Sequence, residues 1–321
     1  MVRVLADDDV AAVLSLSELL PVVESAFVAQ GRGAVERPER PHFPVGEGIE
    51  NGPLGTGLTM PAYVHGEDYY ATKLASVHER NAERGLPTVN AQIAVTDAAD
   101  GLPVAYMAGT RVTNVRTGCI GGLAARELAP SGPVRLGVVG AGTQARWQTR
   151  AVAAATDLDS VRVYSPSDSR FDCAADLRDE GIDAEAVDSA AAAVSEATVV
   201  VTATTSTEPV FDGDDLSPGA LVVAVGAYTA SMRELDGRTV ERAARVFADV
   251  PAEAAATGDL PRHEPADLVS LASVFEGEAG RRDDDEVLVV ASVGSAVLDA
   301  ATASHVYDRA VAEGVGEVVD L

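Results

Sequence analysis

The hydrophobic rhythm of the chain changes at Pro133. Downstream, short all-apolar runs alternate with helical stretches. RLGVVGAGTQARWQTRAVAAA reads as a buried strand, a glycine turn and a helix. VRVYSP (from Val161), TVVVTAT (from Thr198), ALVVAVGA (from Ala220), RVFADV (from Arg245) and EVLVVASVGS (from Glu286) read as further strands. Strands that are apolar on both sides belong to a sheet covered on both faces, and their alternation with helices predicts a doubly wound parallel α/β sheet.

Upstream the texture is mixed. Apolar positions recur at helical spacing from Leu16 to Gln30, with Ser17 as the expected N-cap. From Gly31 to Pro61 the chain is rich in Gly and Pro and reads as loops and short strands, while Tyr69 to Ser76 and Gln92 to Thr96 read as strands. The final AVLDAATASHVYDRAVAEG is helical again and is expected to pack back on the first domain. Residues 1–117 and 297–321 are thus expected to form a discontinuous α+β domain for substrate binding and dimerisation. Residues 118–296 are expected to form the dinucleotide-binding domain.

The glycine turn carries the first chemistry. Gly140, Gly142 and Ala145 form G-x-G-x-x-A between a predicted strand and helix. The first glycine permits the tight turn, the second lets backbone approach a pyrophosphate, and the small third residue lets helix and strand pack closely. Phosphates would sit at the helix N-terminus, where free N–H groups and the helix dipole favour anions. This is a Rossmann-type fingerprint. The second strand ends VYSPSDSR, with Ser165 where an NAD enzyme usually has an acid. Ser165, Ser167 and Arg170 are suited to a 2′-phosphate, while Asp168 is within reach of a ribose hydroxyl, so the expected cofactor is NAD or NADP with a mild preference for NADP.

Charge narrows the partners. Asp and Glu total 50 against 24 Lys and Arg, a net charge of −26. Such a field repels nucleic acid and anionic membranes. The acids are scattered in short groups and, with lysine nearly absent, they point to a protein working in concentrated salt. Two cysteines and five histidines show no metal spacing. The N-terminus lacks a signal-like segment, and the expected location is the cytoplasm.

Lys73, in YYATKLASVHERN, is the only lysine in the chain. On an acidic surface arginine or acid replaces lysine freely, but arginine cannot replace an ammonium whose task is to lose a proton. Arg40 and Arg116 are the other cations expected near it. Arginine's planar fork suits a carboxylate, and burial beside cations brings a lysine toward neutral pKa. Together they suit hydride transfer on a small amino or imino acid.

These segments resemble the ornithine cyclodeaminase/mu-crystallin family, which includes an archaeal type of alanine dehydrogenase and ketimine reductases. The resemblance runs in order through MPAYVHGEDYYATKLASVHERN, GLPTVNAQIAVTDAADGLPVA, TNVRTGCIGGLAA, LGVVGAGTQA, VVVTATTSTEPVF, VVAVGAYTASMRELD and EVLVVASVGSAVLDAATA. It implies that Lys73 is catalytic, that Arg40 and Arg116 bind the substrate carboxylate, and that Asp299 is an acid near the substrate. It implies cofactor contacts from Thr117, from Gly140, Ala141, Gly142, Thr143 and Gln144, and from Thr202, Ala203, Thr204 and Thr205 on the adenosine side. Val225, Gly226 and Ala227 would face the nicotinamide, and Ser292, Val293 and Gly294 would close the other side. It also implies a homodimer.

One departure matters. Ornithine cyclodeaminases carry an Asp two residues after the glycine that ends VVAVG, where this chain has Tyr228. A tyrosine supplies no carboxylate near neutral pH. The leading expectation is therefore an NAD(P)-dependent oxidoreductase of a small α-amino or imino acid, with alanine dehydrogenase as the best match. Ornithine cyclodeaminase, ketimine reductase and a non-catalytic NADPH-binding protein of the mu-crystallin type are the alternatives. Tyr228, Met60 and His78 are candidate pocket residues without an assigned place.

Overall fold

The computed structural model describes residues 1–49 and 52–320. It divides into two compact units, residues 1–116 with 296–321 and residues 117–295.

The first unit contains β1 (Val2–Leu5), α1 (Asp7–Val13), α2 (Leu16–Gly31), β2 (Val35–Glu36), β3 (His42–Val45), β4 (Gly55–Val64), β5 (Tyr69–Val77), β6 (Val89–Asp97) and β7 (Pro103–Ala108). Helix α3 (Gly109–Leu128) begins in this unit and ends in the other. The strands form a mixed sheet in the order β16-β1-β7-β6-β5-β4-β2, with β3 also on β4, where β16 is Glu317–Val319. Helix α10 (Ala296–Glu313) lies on this sheet against β4, β5 and α2. Alternation along β5 sends Ala71 and Lys73 to the buried face, and Tyr70 and Leu74 to the exposed one. Helix α2 starts two residues earlier than Ser17 would set it: Ser15 is the N-cap, and Ser17 lies in the first turn with its hydroxyl 2.9 Å from that of Ser15.

The second unit contains β8 (Val134–Val139), α4 (Thr143–Ala155), β9 (Leu158–Tyr164), α5 (Ser169–Asp179), β10 (Ala184–Ala186), α6 (Ala190–Val194), β11 (Val199–Thr202), β12 (Leu221–Ala224), α7 (Gly237–Arg242), β13 (Arg245–Ala248), α8 (Pro251–Ala254), β14 (Val269–Ser270), α9 (Leu271–Phe275) and β15 (Leu288–Ala291). The strands are parallel throughout, in the order β10-β9-β8-β11-β12-β15-β13-β14. β11, β12 and β15 are buried along their whole length, which is why they read as unbroken valine runs. The order reverses between β8 and β11, and in open parallel sheets ligands bind beside such a reversal, at the carboxyl ends of the strands.

Helix α3 is not apparent from its own sequence, because Gly118, Gly121 and Gly122 lower its helical propensity. The reason is packing. A Cβ on Gly118 would lie 2.7 Å from the Trp147 carbonyl, and one on Gly122 would lie 2.6 Å from that of Ala151, so the glycines let α4 come close.

At the end of α3, Arg281 ties the second unit together. Its Nε donates to Leu128 O at 2.8 Å, Nη1 to Glu286 O at 2.5 Å and Nη2 to Gly219 O at 2.8 Å. Arg281→Ala is expected to cost about 2–4 kcal/mol in denaturant unfolding, since it strands several carbonyls at once. Arg281→Lys is expected to recover only part of that, because an ammonium lacks the planar fork.

Candidate active site

In the first unit, Lys73, Arg116 and Asp299 come together out of water, at 3%, 4% and 1% exposure. Each arrives on a different element. Lys73 is in the middle of β5, directly opposite Met60 on β4 and Ile93 on β6, two buried apolar side chains on the same face. Arg116 is in α3, and Asp299 is in the first turn of α10, where the helix dipole favours a negative charge. Lys73 Nζ donates to Asp299 Oδ2 at 2.6 Å, and Arg116 Nε donates to Asp299 Oδ1 at 2.8 Å.

The electrostatics follow from two cations sharing one anion. Burial lowers the pKa of Lys73 most, the charges of Arg116 and Arg40 lower it further, and Asp299 only partly restores it, leaving it at about 8. Burial works against the Asp299 carboxylate, but the charges of Arg116 and Lys73 and their hydrogen bonds outweigh it and hold its pKa below the ordinary value. Asp299 is thus a fixed anion and Lys73 a cation close to releasing its proton. Arg116 Nη1 is buried with no hydrogen-bond partner among the described residues. A buried donor without a partner is costly, so this nitrogen suits an incoming acceptor such as a carboxylate oxygen.

Arg40 is half-buried between β2 and β3, near enough for its charge to act on Lys73. Of the unassigned pocket candidates, Met60 sits beside Lys73. His78 lies beyond the end of β5, five residues and about 16 Å along the chain from Lys73. Tyr228 is in the second unit and is 39% exposed.

In the second unit, the residues expected at a dinucleotide gather at the carboxyl ends of β8, β9, β11, β12 and β15. Backbone hydrogen bonds tie these ends together. Gly140 N donates to Tyr164 O, Ala203 N to Val139 O, Val225 N to Thr202 O, and Ser292 N to Ala224 O. Gly140 has φ +115°, and a Cβ there would lie 2.5 Å from Ala203 O. A Cβ on Gly142 would meet nothing within 4 Å, so backbone is open to a ligand where Thr143 and Gln144 begin α4. Ala141 and Ala145 are buried beneath the turn. The turn therefore fits a pyrophosphate. Thr117, half-buried, accepts from Gln148 Nε2 through its carbonyl at 2.8 Å. Thr202 is buried at the end of β11, and Thr204, Gly226 and Ala227 follow the strands beside it.

At the end of β9, Ser165 and Ser167 share a hydroxyl contact at 3.2 Å. Arg170 Nη1 donates to Ser165 O at 3.3 Å and Ser167 O at 3.0 Å, and the guanidinium stacks 4.4 Å from the Phe171 ring centre.

Three buried carboxylates escape the sequence reading. Asp249 accepts from Ser292 Oγ and Gly294 N at 2.7 Å each and from Val293 N at 3.0 Å, which fixes the loop after β15. Glu234 accepts from Thr204 N at 2.6 Å, Thr202 Oγ1 at 2.8 Å and Gly226 N at 2.8 Å. Asp259 accepts from the N–H groups of Glu234 and Leu235. The available signal was an acid placed inside apolar sequence, as Asp249 is in VFADV.

Residues 2–314 match the model of the ornithine cyclodeaminase/mu-crystallin family. The chain belongs to that family. It is 33% identical over 277 residues to a Delta(1)-pyrroline-2-carboxylate reductase of Bacillus cereus, spanning 83% of this chain and 85% of the relative. The solved Delta(1)-pyrroline-2-carboxylate reductase of Thermococcus litoralis, in complex with NADH and L-proline, superposes with a TM-score of 0.93 at 30% identity, over 99% of this chain and 100% of that one. An archaeal alanine dehydrogenase dimer with bound NAD superposes with a TM-score of 0.91 at 27% identity, over 100% and 99%. Within the family, the chain is an oxidoreductase of the NAD(P)-dependent kind.

Asp299→Asn is expected to leave Lys73 and Arg116 buried with no anion between them. It should lower urea-unfolding stability by about 3–5 kcal/mol at neutral pH and depress the Lys73 pKa further, since Asp299 is what raises it.

Proposed function

We propose that this enzyme reduces the C=N bond of a small α-imino acid to the α-amino acid with NAD(P)H, and that a cyclic imine of the Delta(1)-pyrroline-2-carboxylate kind is its first candidate substrate. The observation that carries the reading is the buried Lys73–Asp299–Arg116 cluster with its unpartnered guanidinium nitrogen. The pyrroline-2-carboxylate reductases among its relatives support the choice of substrate.

A bound nicotinamide supplies the hydride that the imine carbon takes up. The protein's own groups do the rest. Arg116, through Nη1, and Arg40 hold the substrate carboxylate and fix the carbon in position. As the C=N electron pair moves onto nitrogen, Lys73 gives that nitrogen its proton from Nζ. Asp299 stays ionised and keeps the ammonium and the guanidinium in place. In the reverse direction neutral Lys73 takes the proton back.

Alanine dehydrogenase is the second reading, favoured by the archaeal neighbour. It uses the same clamp and proton donor, with ammonia addition to pyruvate coming first. Ornithine cyclodeamination is disfavoured by Tyr228, which offers no carboxylate for a side-chain ammonium. The missing acid at the end of β9 and the position of Arg170 beside Ser165 support a mild preference for NADP. Cofactor oxidation with Delta(1)-pyrroline-2-carboxylate, and separately with pyruvate plus ammonium, tests the reading. Proline formed from ornithine without net cofactor change would overturn it.

The proton donor sets a pH dependence with a definite sign. Lys73 must be protonated for reduction, so the reductive rate should fall as pH rises through about 8, and amino-acid oxidation should rise over the same range. Lys73→Arg keeps the charge, but a guanidinium does not release a proton near neutral pH, and kcat should drop by at least about 100-fold.

We also propose a homodimer working in concentrated salt. On the sheet face opposite Lys73, Val4, Tyr106, Ala94, Thr72, Tyr70 and Leu74 share one side, and the outward positions of β4 to β7 carry no charged side chain. On a chain of net charge −26 such a face suits a second copy of itself. Sedimentation in concentrated KCl should return twice the chain mass, and Leu74→Asp with Tyr106→Asp should return a single chain. Thermal stability should fall as salt is withdrawn.

A further inference from the structure

The acid that binds the second unit's strand-end loops to one another is Glu234. It lies in the segment after β12, fully buried, and its two carboxylate oxygens accept from both neighbouring strand ends. Oε1 takes the N–H of Thr204 beyond β11; Oε2 takes the hydroxyl of Thr202 and the N–H of Gly226 beyond β12. Gly226 is a close approach: a Cβ there would lie 2.3 Å from Thr204 O and 2.5 Å from Glu234 Oε1. Glu234 is itself fixed from behind, since Asp259 accepts from its N–H at 2.6 Å.

We propose that Glu234 is the positioning residue for nucleotide binding: as a carboxylate it holds the Thr202–Thr204 and Val225–Ala227 loops in one arrangement, and as a carboxylic acid it releases it. The proposal rests on the reading that these loops hold the dinucleotide. Its logic is donor counting. Two of its partners are backbone N–H groups, which only donate, and the hydroxyls of Thr202 and Thr204 also bond to it, so the site matches an acceptor-only carboxylate. A proton on the carboxyl finds an acceptor only in the hydroxyl of Thr202 or Thr204, which must turn round, and it competes with the backbone N–H on the same oxygen. The hold on the Gly226 or Thr204 N–H is then weakened. Burial pushes the Glu234 pKa up to about 7, against the pull of the bonds from Thr204, Thr202 and Gly226, so the exchange falls near neutrality.

The other charged groups at this place are Asp259 and Arg233. Burial raises the Asp259 pKa as well, against its two backbone hydrogen bonds and the charge of Arg233. Arg233 donates to Leu235 O. β11 and β12 face Glu234 with Thr202, Thr204 and Gly226, none of which titrates. Thr202 touches Glu234 and not Asp259, which makes it the discriminating position.

Binding is read by isothermal titration calorimetry, with the fluorescence of the single tryptophan, Trp147 in α4 four residues beyond Thr143, as a second signal. NAD+, whose pyrophosphate does not titrate between pH 5.5 and 9, is the probe. Wild-type affinity should weaken by at least about tenfold as pH falls through about 7. Glu234→Gln cannot be acceptor-only at both ends, and it should bind weakly with that pH step gone. Thr202→Val removes one hydrogen bond to the carboxylate and should move the midpoint up by about one pH unit. If Glu234→Gln fails to fold, the Thr202→Val midpoint decides: a shifted midpoint supports the proposal and an unshifted one overturns it. Wild-type binding with the same pH profile in folded Glu234→Gln would overturn the positioning role while leaving the cofactor reading intact. No NAD+ or NADP+ binding by the wild-type protein at any pH would remove both.

Discussion

Two buried cations sharing one buried carboxylate is the constraint on which the first unit depends. An ammonium and a guanidinium taken from water each cost several kcal/mol, and the attraction of a single anion offsets that only when the geometry is close. Asp299 meets the condition by accepting one bond on each oxygen, from Lys73 at 2.6 Å and Arg116 at 2.8 Å. The balance remains unfavourable enough to bring Lys73 down to about 8. That residual imbalance is what the proposed mechanism uses: it leaves one proton near release and one guanidinium nitrogen without a partner among the described residues. It also explains why the chain returns to its first unit at the end. α10 carries Asp299 back onto β5 after the whole of the second unit has intervened.

The second unit solves a related problem with backbone donors. Its loops present many N–H groups at the ends of parallel strands, and buried carboxylates from elsewhere in the chain collect some of them. Glu234 serves the loops after β11 and β12, and Asp249 serves the loop after β15. The N–H groups at the start of α4 lie where Gly142 leaves backbone open, which is where a phosphate fits.

Much of this was legible in the sequence, for identifiable reasons. The parallel strands announce themselves because burial on both faces demands continuous apolar runs. The glycine turn is readable because each glycine answers a separate steric need. Lys73 stands out because it is the only lysine in an acidic chain. What escaped was set by tertiary contacts. α3 is disguised by glycines whose purpose lies on α4, and the N-cap of α2 falls on Ser15 because the chain turns there and not at Ser17. Glu234, Asp249 and Asp259 look like ordinary acids among 50 until their backbone donors are in place. Family membership defines the class of chemistry, but the choice between a cyclic imine and pyruvate with ammonia depends on contacts that no motif encodes.

The most direct measurement is the pKa of Lys73 itself. With one lysine in the chain, protein grown on 13Cε-labelled lysine gives a single side-chain resonance that needs no assignment by mutation. The account predicts that this resonance titrates with a midpoint of about 8, well below the usual value for lysine. A midpoint at or above 10 in the folded protein would mean that Lys73 is only one half of a structural ion pair, and the proton-transfer role would fall with it.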